Sequence, residues 1–127
     1  MSQTACDVVS DILKAIGIEY GFMTYNKKPI QYPYFVGEYT EYEPYTEDGM
    51  EESEMLLTGF TRGTWLSLVE SKEQIKKQFD PISGRCGITE DGGAIAIFYA
   101  GSRPVQTGDA ELKRIEITLK IKEWMVN

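Results

Sequence analysis

The side chains that most often carry out catalysis are scarce in this sequence. The 127 residues include no histidine, which excludes Ser-His-Asp catalysis, Cys-His catalysis and histidine-containing zinc sites. Cys6 and Cys86 are far apart and form no C-x-x-C pair, which excludes four-cysteine zinc sites and C-x-x-C redox chemistry. We expect two free thiols in a reducing compartment, and a single disulfide between them is the alternative.

Carboxylates are plentiful and are concentrated in one segment. Residues 29–61 contain no Lys or Arg, and their acids are Glu38, Glu41, Glu43, Glu47, Asp48, Glu51, Glu52 and Glu54. Oxygen-rich loops can bind calcium, but the D-x-[DN]-x-[DN]-G spacing is absent. Paired carboxylates serve glycosidases, yet nothing in the sequence singles out one pair. We therefore expect a solvated or partner-facing acidic loop at 43–52, with no metal, no cofactor and no enzyme activity.

Tyrosines share this acidic segment and indicate a protein interface, because tyrosine is enriched in such contacts. Cross-strand packing on a half-buried sheet and stacking on sugars are the alternatives. Arg62 is the only base in this acidic neighbourhood, and it can pair with a carboxylate of its own chain or of a neighbouring one. The predicted interface residues are Arg62, Tyr39, Tyr42, Tyr45, Glu47 and Asp48.

Hydrophobic periodicity predicts two helices and six strands. The helices are expected at 4–16 and 66–79. Ser67 and Ser71 each begin a pattern that resembles a capping box at the start of the second helix. The strands are expected at 18–24, 34–40, 55–62, 86–89, 94–100 and 112–124, with a glycine-bearing loop at 101–110. The last strand has the most regular alternation, and its length suggests that it extends beyond its own domain.

The element order α-β-β-β-α-β-β-β predicts an α+β fold. Several connections look like hairpins, so we expect a mostly antiparallel sheet with both helices packed on one face. The length suits a single domain that spans residues 1–127.

Charge and hydropathy narrow the possible partners. The net charge of −7 argues against tight binding of nucleic acid or anionic lipid. Residues 1–7 contain no Lys or Arg and no apolar run follows them, so we expect no secretion signal. No run approaches the roughly 20 apolar residues of a membrane span, so we expect a soluble chain with no membrane partner, made in the cytoplasm.

Three runs resemble the tail terminator, or tail completion, proteins of tailed bacteriophages and prophages, which join head and tail. YPYFVGE at 32–38 resembles the segment of that family in which Pro-Tyr leads into an extended strand. LTGFTRGT at 57–64, followed by a charged helix, resembles the strand-to-helix step. PVQTGD at 104–109, followed by IEITL at 115–119, resembles the final loop and strand.

The resemblance implies a structural subunit that forms a homo-oligomeric ring, commonly a hexamer. Such a ring caps the tail tube, meets the tube protein and the head connector, and lets DNA pass without tight binding. It implies a location in the virion and, during assembly, in the host cytoplasm, and it carries over no site residues. The alternatives are another neck or tube protein, such as a head closure or tail tube protein, and a small acidic cellular protein-binding module.

Overall fold

The protein is described from a computed structural model, which covers residues 3–41, 50–88 and 92–124. Within these ranges the chain forms two helices and one six-stranded sheet. The elements in chain order are α1 (Gln3–Ala15), β1 (Glu19–Phe22), β2 (Tyr34–Glu41), β3 (Met50–Thr61), α2 (Trp65–Gln78), β4 (Arg85–Ile88), β5 (Ala94–Val105) and β6 (Lys113–Trp124).

The sheet is mixed, and the expected mostly antiparallel fold class is therefore wrong. The strands are ordered β1-β2-β3-β6-β5-β4, and β1 pairs with β2 in parallel while the other four pairings are antiparallel. A parallel pair needs a crossover instead of a tight hairpin. Residues 23–33 provide it, and they contain cis peptide bonds before Pro29 and Pro33.

The strand with the most regular alternation of apolar and polar residues, β6, lies in the middle of the sheet. It pairs with β3 along its whole length, from Lys113 to Trp124, and with β5 on its other side. Both of its edges are therefore occupied, which corrects the expectation that this strand reaches beyond the domain. The ends of the sheet are instead the two four-residue strands, β1 and β4.

Two strands are longer than the sequence indicated. β3 begins at Met50, so the last residues of the predicted acidic loop belong to the ladder with β6. β5 continues to Val105 through a bulge between Tyr99 and Gly101, which shortens the predicted 101–110 loop. Gly101 has a φ of 133°, a conformation that side chains other than glycine rarely adopt, and this permits the bulge.

The core lies on one face of the sheet, which we call the helix face. Leu57 of β3 lies beside Ile117 of β6, and Met55 lies beside Leu119. Both helices pack onto this face, and their buried residues join the same cluster as those of the strands. The helix residues in the cluster are Ala5, Val9, Leu13, Leu68 and Ile75, with Phe79 just after α2.

The start of α2 does not use the predicted capping boxes. Thr64 is the N-cap residue, and its side chain makes no capping hydrogen bond. The Ser67 hydroxyl donates to the Thr64 carbonyl at 2.8 Å, and the Ser71 hydroxyl donates to the Ser67 carbonyl at 3.0 Å. These hydroxyls therefore bond back along the helix, because both serines lie inside it rather than before it.

Gly59 is required by the packing of a neighbouring aromatic ring. Phe35 lies directly across from Gly59 in the β2–β3 ladder and is fully buried. A Cβ at residue 59 would lie 2.4 Å from the nearest Phe35 ring carbon. We expect Gly59→Ala to lower the free energy of unfolding by about 1–3 kcal/mol, because a buried ring has no room to move.

Urea unfolding of Gly59→Ala measures this effect, with Gly63→Ala as the matched control. A Cβ at residue 63 comes no closer than 3.4 Å to its nearest neighbour, so its effect should be small. Equal stability losses in the two variants would contradict the packing argument.

Candidate interaction surfaces

The face of the sheet opposite the helices is rich in paired charges, and we call it the open face. It is formed by the even-numbered residues of β2, β3 and β6 and by the β5 residues in register with them. Glu52 of β3 lies opposite Lys122 of β6, with their charged atoms 3.8 Å apart, and Glu54 lies opposite Lys120. Two acids of the acidic segment therefore have basic neighbours that are distant in sequence.

The best-formed charge cluster on the open face is centred on Glu116, whose side chain is only 15% exposed. Arg103 of β5 donates to Oε2 of this carboxylate at 3.1 Å, and Arg114 donates to Oε1 at 2.9 Å. The Arg114 guanidinium also lies 5.8 Å from the centre of the Phe60 ring. The ion pair between Arg103 and Glu116 joins β5 to β6 on the face of the sheet without helices.

A series of stacked aromatic rings extends from Phe60, beside this charge cluster, across β2 to the crossover. Tyr34 stacks on Phe60 with ring centres 5.3 Å apart, and Tyr25 of the crossover stacks on Tyr34 at 4.5 Å. Burial raises the pKa of the Tyr34 hydroxyl, and the neighbouring Tyr32 and Tyr25 add to this shift. The crossover thus covers the open face beside β2, and these tyrosines mainly pack against one another.

Glu19 of β1 ties the crossover to the first strand. Lys27 donates to its carboxylate at 2.9 Å, and the Tyr25 hydroxyl donates to it at 3.3 Å. The bond to Lys27 is the main reason that the pKa of Glu19 lies below its ordinary value, and it raises the pKa of Lys27 in turn.

Arg62, a predicted interface residue, has partners in its own chain. Its guanidinium lies 3.5 Å from the Asp109 carboxylate, and both side chains are about half exposed. A hydrogen bond with Tyr32 is the main cause that raises the pKa of Arg62, and Asp109 contributes further. Arg62 therefore links the crossover, the end of β3 and the loop after β5.

Tyr39 lies at the β1 end of the sheet. Its ring stacks on Phe22 with centres 5.9 Å apart, and Met23 beside them is 60% exposed. We call Phe22, Met23 and Tyr39 the β1-end patch. The other predicted interface residues, Tyr42, Tyr45, Glu47 and Asp48, lie outside the described residues.

A second apolar surface, which sequence analysis missed, lies at the start of α2. Trp65, Leu66 and Val69 form this α2 patch, and Leu66 is 62% exposed. Beside it, a shallow groove of about 600 Å³ runs between Trp65 and the loop from Pro104 to Lys113. The signal was available in the sequence, because these three residues lie off the buried stripe of the helix.

A third apolar surface lies at the opposite end of the sheet. Ile88 of β4 is 84% exposed, and Ile82, just before β4, is 92% exposed. An apolar groove of about 530 Å³ lies next to Ile88, between β4, β5 and Trp124. We call Ile88, together with this groove, the β4-end patch, and we leave Ile82 out of it because Ile82 precedes the other end of the strand. Nothing in the sequence pattern distinguished Ile88 from an ordinary half-buried strand residue.

The described residues contain no group of three or more acids and cysteines placed to hold a metal ion. No helix in the same ranges is long and apolar enough to cross a membrane. The chain matches no protein-family model, and no curated protein is significantly similar to it.

The position of Glu116 between two arginines generates a stability prediction. We expect Glu116→Gln to lower the free energy of unfolding by about 1–3 kcal/mol, because two guanidinium groups lose a partly buried charged partner. The control is Glu73→Gln, which breaks an exposed ion pair with Lys72 on α2 and should leave stability nearly unchanged. Urea unfolding of both variants measures this difference. If Glu116→Gln leaves the free energy of unfolding unchanged, the cluster does not stabilise the sheet.

Proposed function

We propose that the chain is a structural subunit that assembles with copies of itself into a ring, as tail terminator subunits of tailed phages do. The observation that supports this is the presence of three separate apolar patches among the residues that the structure describes. They lie at the β1 end of the sheet, at the start of α2 and at the β4 end. Exposed apolar patches commonly mark interaction sites.

The arrangement of the three patches fits the needs of a ring subunit. A subunit in a cyclic ring contacts two identical neighbours through two different surfaces. The β1-end and β4-end patches lie at opposite ends of the sheet and suit these two contacts. The α2 patch is then left for a different partner, which in a terminator is the tail tube protein or the head connector. A single-partner adaptor requires only one such patch.

Charge also agrees with a ring through which DNA passes. The net charge of −7 repels phosphates and disfavours tight binding. The arginines and lysines on the open face lie beside carboxylates of the same chain, which reduces their attraction for DNA. In this proposal the ring resides in the virion after assembly in the host cytoplasm.

The solution mass of the purified chain tests the proposal. Light scattering behind a sizing column, over a wide range of concentrations, should give a mass of about six subunits at high concentration. A dimer of constant mass at every concentration would contradict the ring and would favour a cellular protein-binding module. A monomer at every concentration would contradict self-assembly of the isolated chain.

A further inference from the structure

Both ends of the sheet present unpaired strand edges. β1 pairs only with β2, and β4 pairs only with β5, among the described residues. The outer edge of each strand therefore carries N–H and C=O groups that no other strand of these ranges binds. Such an edge is a template for the addition of a strand from another chain.

The exposed edge of β5 is better protected against strand addition than that of β4, which carries one charged residue, Arg85. The part of β5 that extends past β4 contains Pro104, which cannot donate a hydrogen bond, as well as Arg103 and the bulge at Tyr99. Proline, charge and bulges are the features by which proteins block edge-to-edge pairing. All four residues of β4 are exposed, and the strand contains no proline or bulge.

The strand directions decide how two copies could join. The one parallel and four antiparallel pairings make β1 and β4 run in the same direction. If β4 of one copy joins β1 of the next, the new pair is parallel and both copies keep the same orientation. If β4 joins β4 of a second copy, the pair is antiparallel and a two-fold axis limits the assembly to a dimer.

Charge favours the first arrangement. α1 and β1 carry three acids, Asp7, Asp11 and Glu19, against one base, Lys14. α2 and β4 carry four bases, against two acids. These bases are Lys72, Lys76, Lys77 and Arg85. Lys27, which pairs with Glu19, and Lys28 follow β1 and make this end neutral, so a β4–β1 contact joins a basic end to a neutral one, whereas a β4–β4 contact brings two basic ends together.

We propose that β4 of one copy adds to β1 of the next copy as a parallel strand, so that copies join head to tail through a continuous sheet. The inference rests on the proposed self-assembly and specifies its interface. Ile88 faces the open face, so in this arrangement it lies beside the open-face residues of the next copy's β1, Glu19 and Gly21, and part of its 84% exposed side chain is removed from water.

Two edge variants test the arrangement. Ile88→Lys disables the β4 end, and Phe22→Lys disables the β1 end. At a concentration at which the wild type is fully assembled, light scattering should find each variant as a monomer. An equimolar mixture of the two should form a dimer and nothing larger, because one intact β4 end meets one intact β1 end. Leu66→Lys, at the exposed α2 patch, is the matched control and should assemble like the wild type.

The outcomes separate this inference from the proposed function. A wild type that stays monomeric overturns the proposed function and this interface with it. A wild type that assembles while both folded variants also assemble overturns the interface alone. Loss of assembly in Ile88→Lys but not in Phe22→Lys indicates the two-fold β4–β4 pair and likewise overturns the head-to-tail arrangement.

Cross-linking provides a second test that does not depend on the lysine variants. Cys86 and Glu19 face the same side of their strands, the open face. Under mild oxidation, Glu19→Cys should form covalent chains longer than a dimer, and the same variant with Cys86→Ser should not. A Cys86–Cys86 dimer in the wild type, with no longer chains in Glu19→Cys, would overturn the proposal.

Discussion

The pairing of β3 with β6 is the interaction on which the rest of the structure depends. It runs in one register from Met50 opposite Trp124 to Thr61 opposite Lys113, and it joins the N-terminal strands to the C-terminal ones. The same register places Leu57 beside Ile117 on the helix face and Glu52 beside Lys122 on the open face. A slip of one residue would exchange the two faces, so core packing and charge pairing support the same alignment.

This central ladder also determines the ends of the sheet. Because β3 and β6 occupy the middle, the edges that no strand of the described residues covers are those of β1 and β4, the second half of β2 and the extension of β5. The last residues of β1 and β4, Phe22 and Ile88, have exposed side chains. The proposed assembly surfaces are therefore consequences of the fold, and the shared direction of β1 and β4 allows copies to join head to tail.

Local patterns predicted much of the fold, and non-local pairing accounts for the errors. The apolar stripe of α1 and the alternation of β6 depend on residues close in sequence, and both elements lie within a residue or two of their predicted bounds. The early start of β3 at Met50 depends on β6, which is far away in sequence. The parallel β1–β2 pair and the extension of β5 to Val105 depend on a crossover and a bulge, which the alternation of apolar residues does not indicate. Of the predicted interface residues, Arg62 and Tyr39 are described and partly exposed. Ile88 was missed because its exposure depends on tertiary packing, whereas the position of Trp65 off the buried stripe of α2 was a signal that was not used.

Hydrogen exchange of the backbone amides at low and high protein concentration tests the central claim most directly. If copies join through the sheet ends, exchange in β1 and β4 should slow on assembly, because their outer N–H groups gain carbonyl partners. Exchange in the free part of β5, near Arg103, should stay the same. Assembly to a larger mass with unchanged exchange in both β1 and β4 would contradict the account.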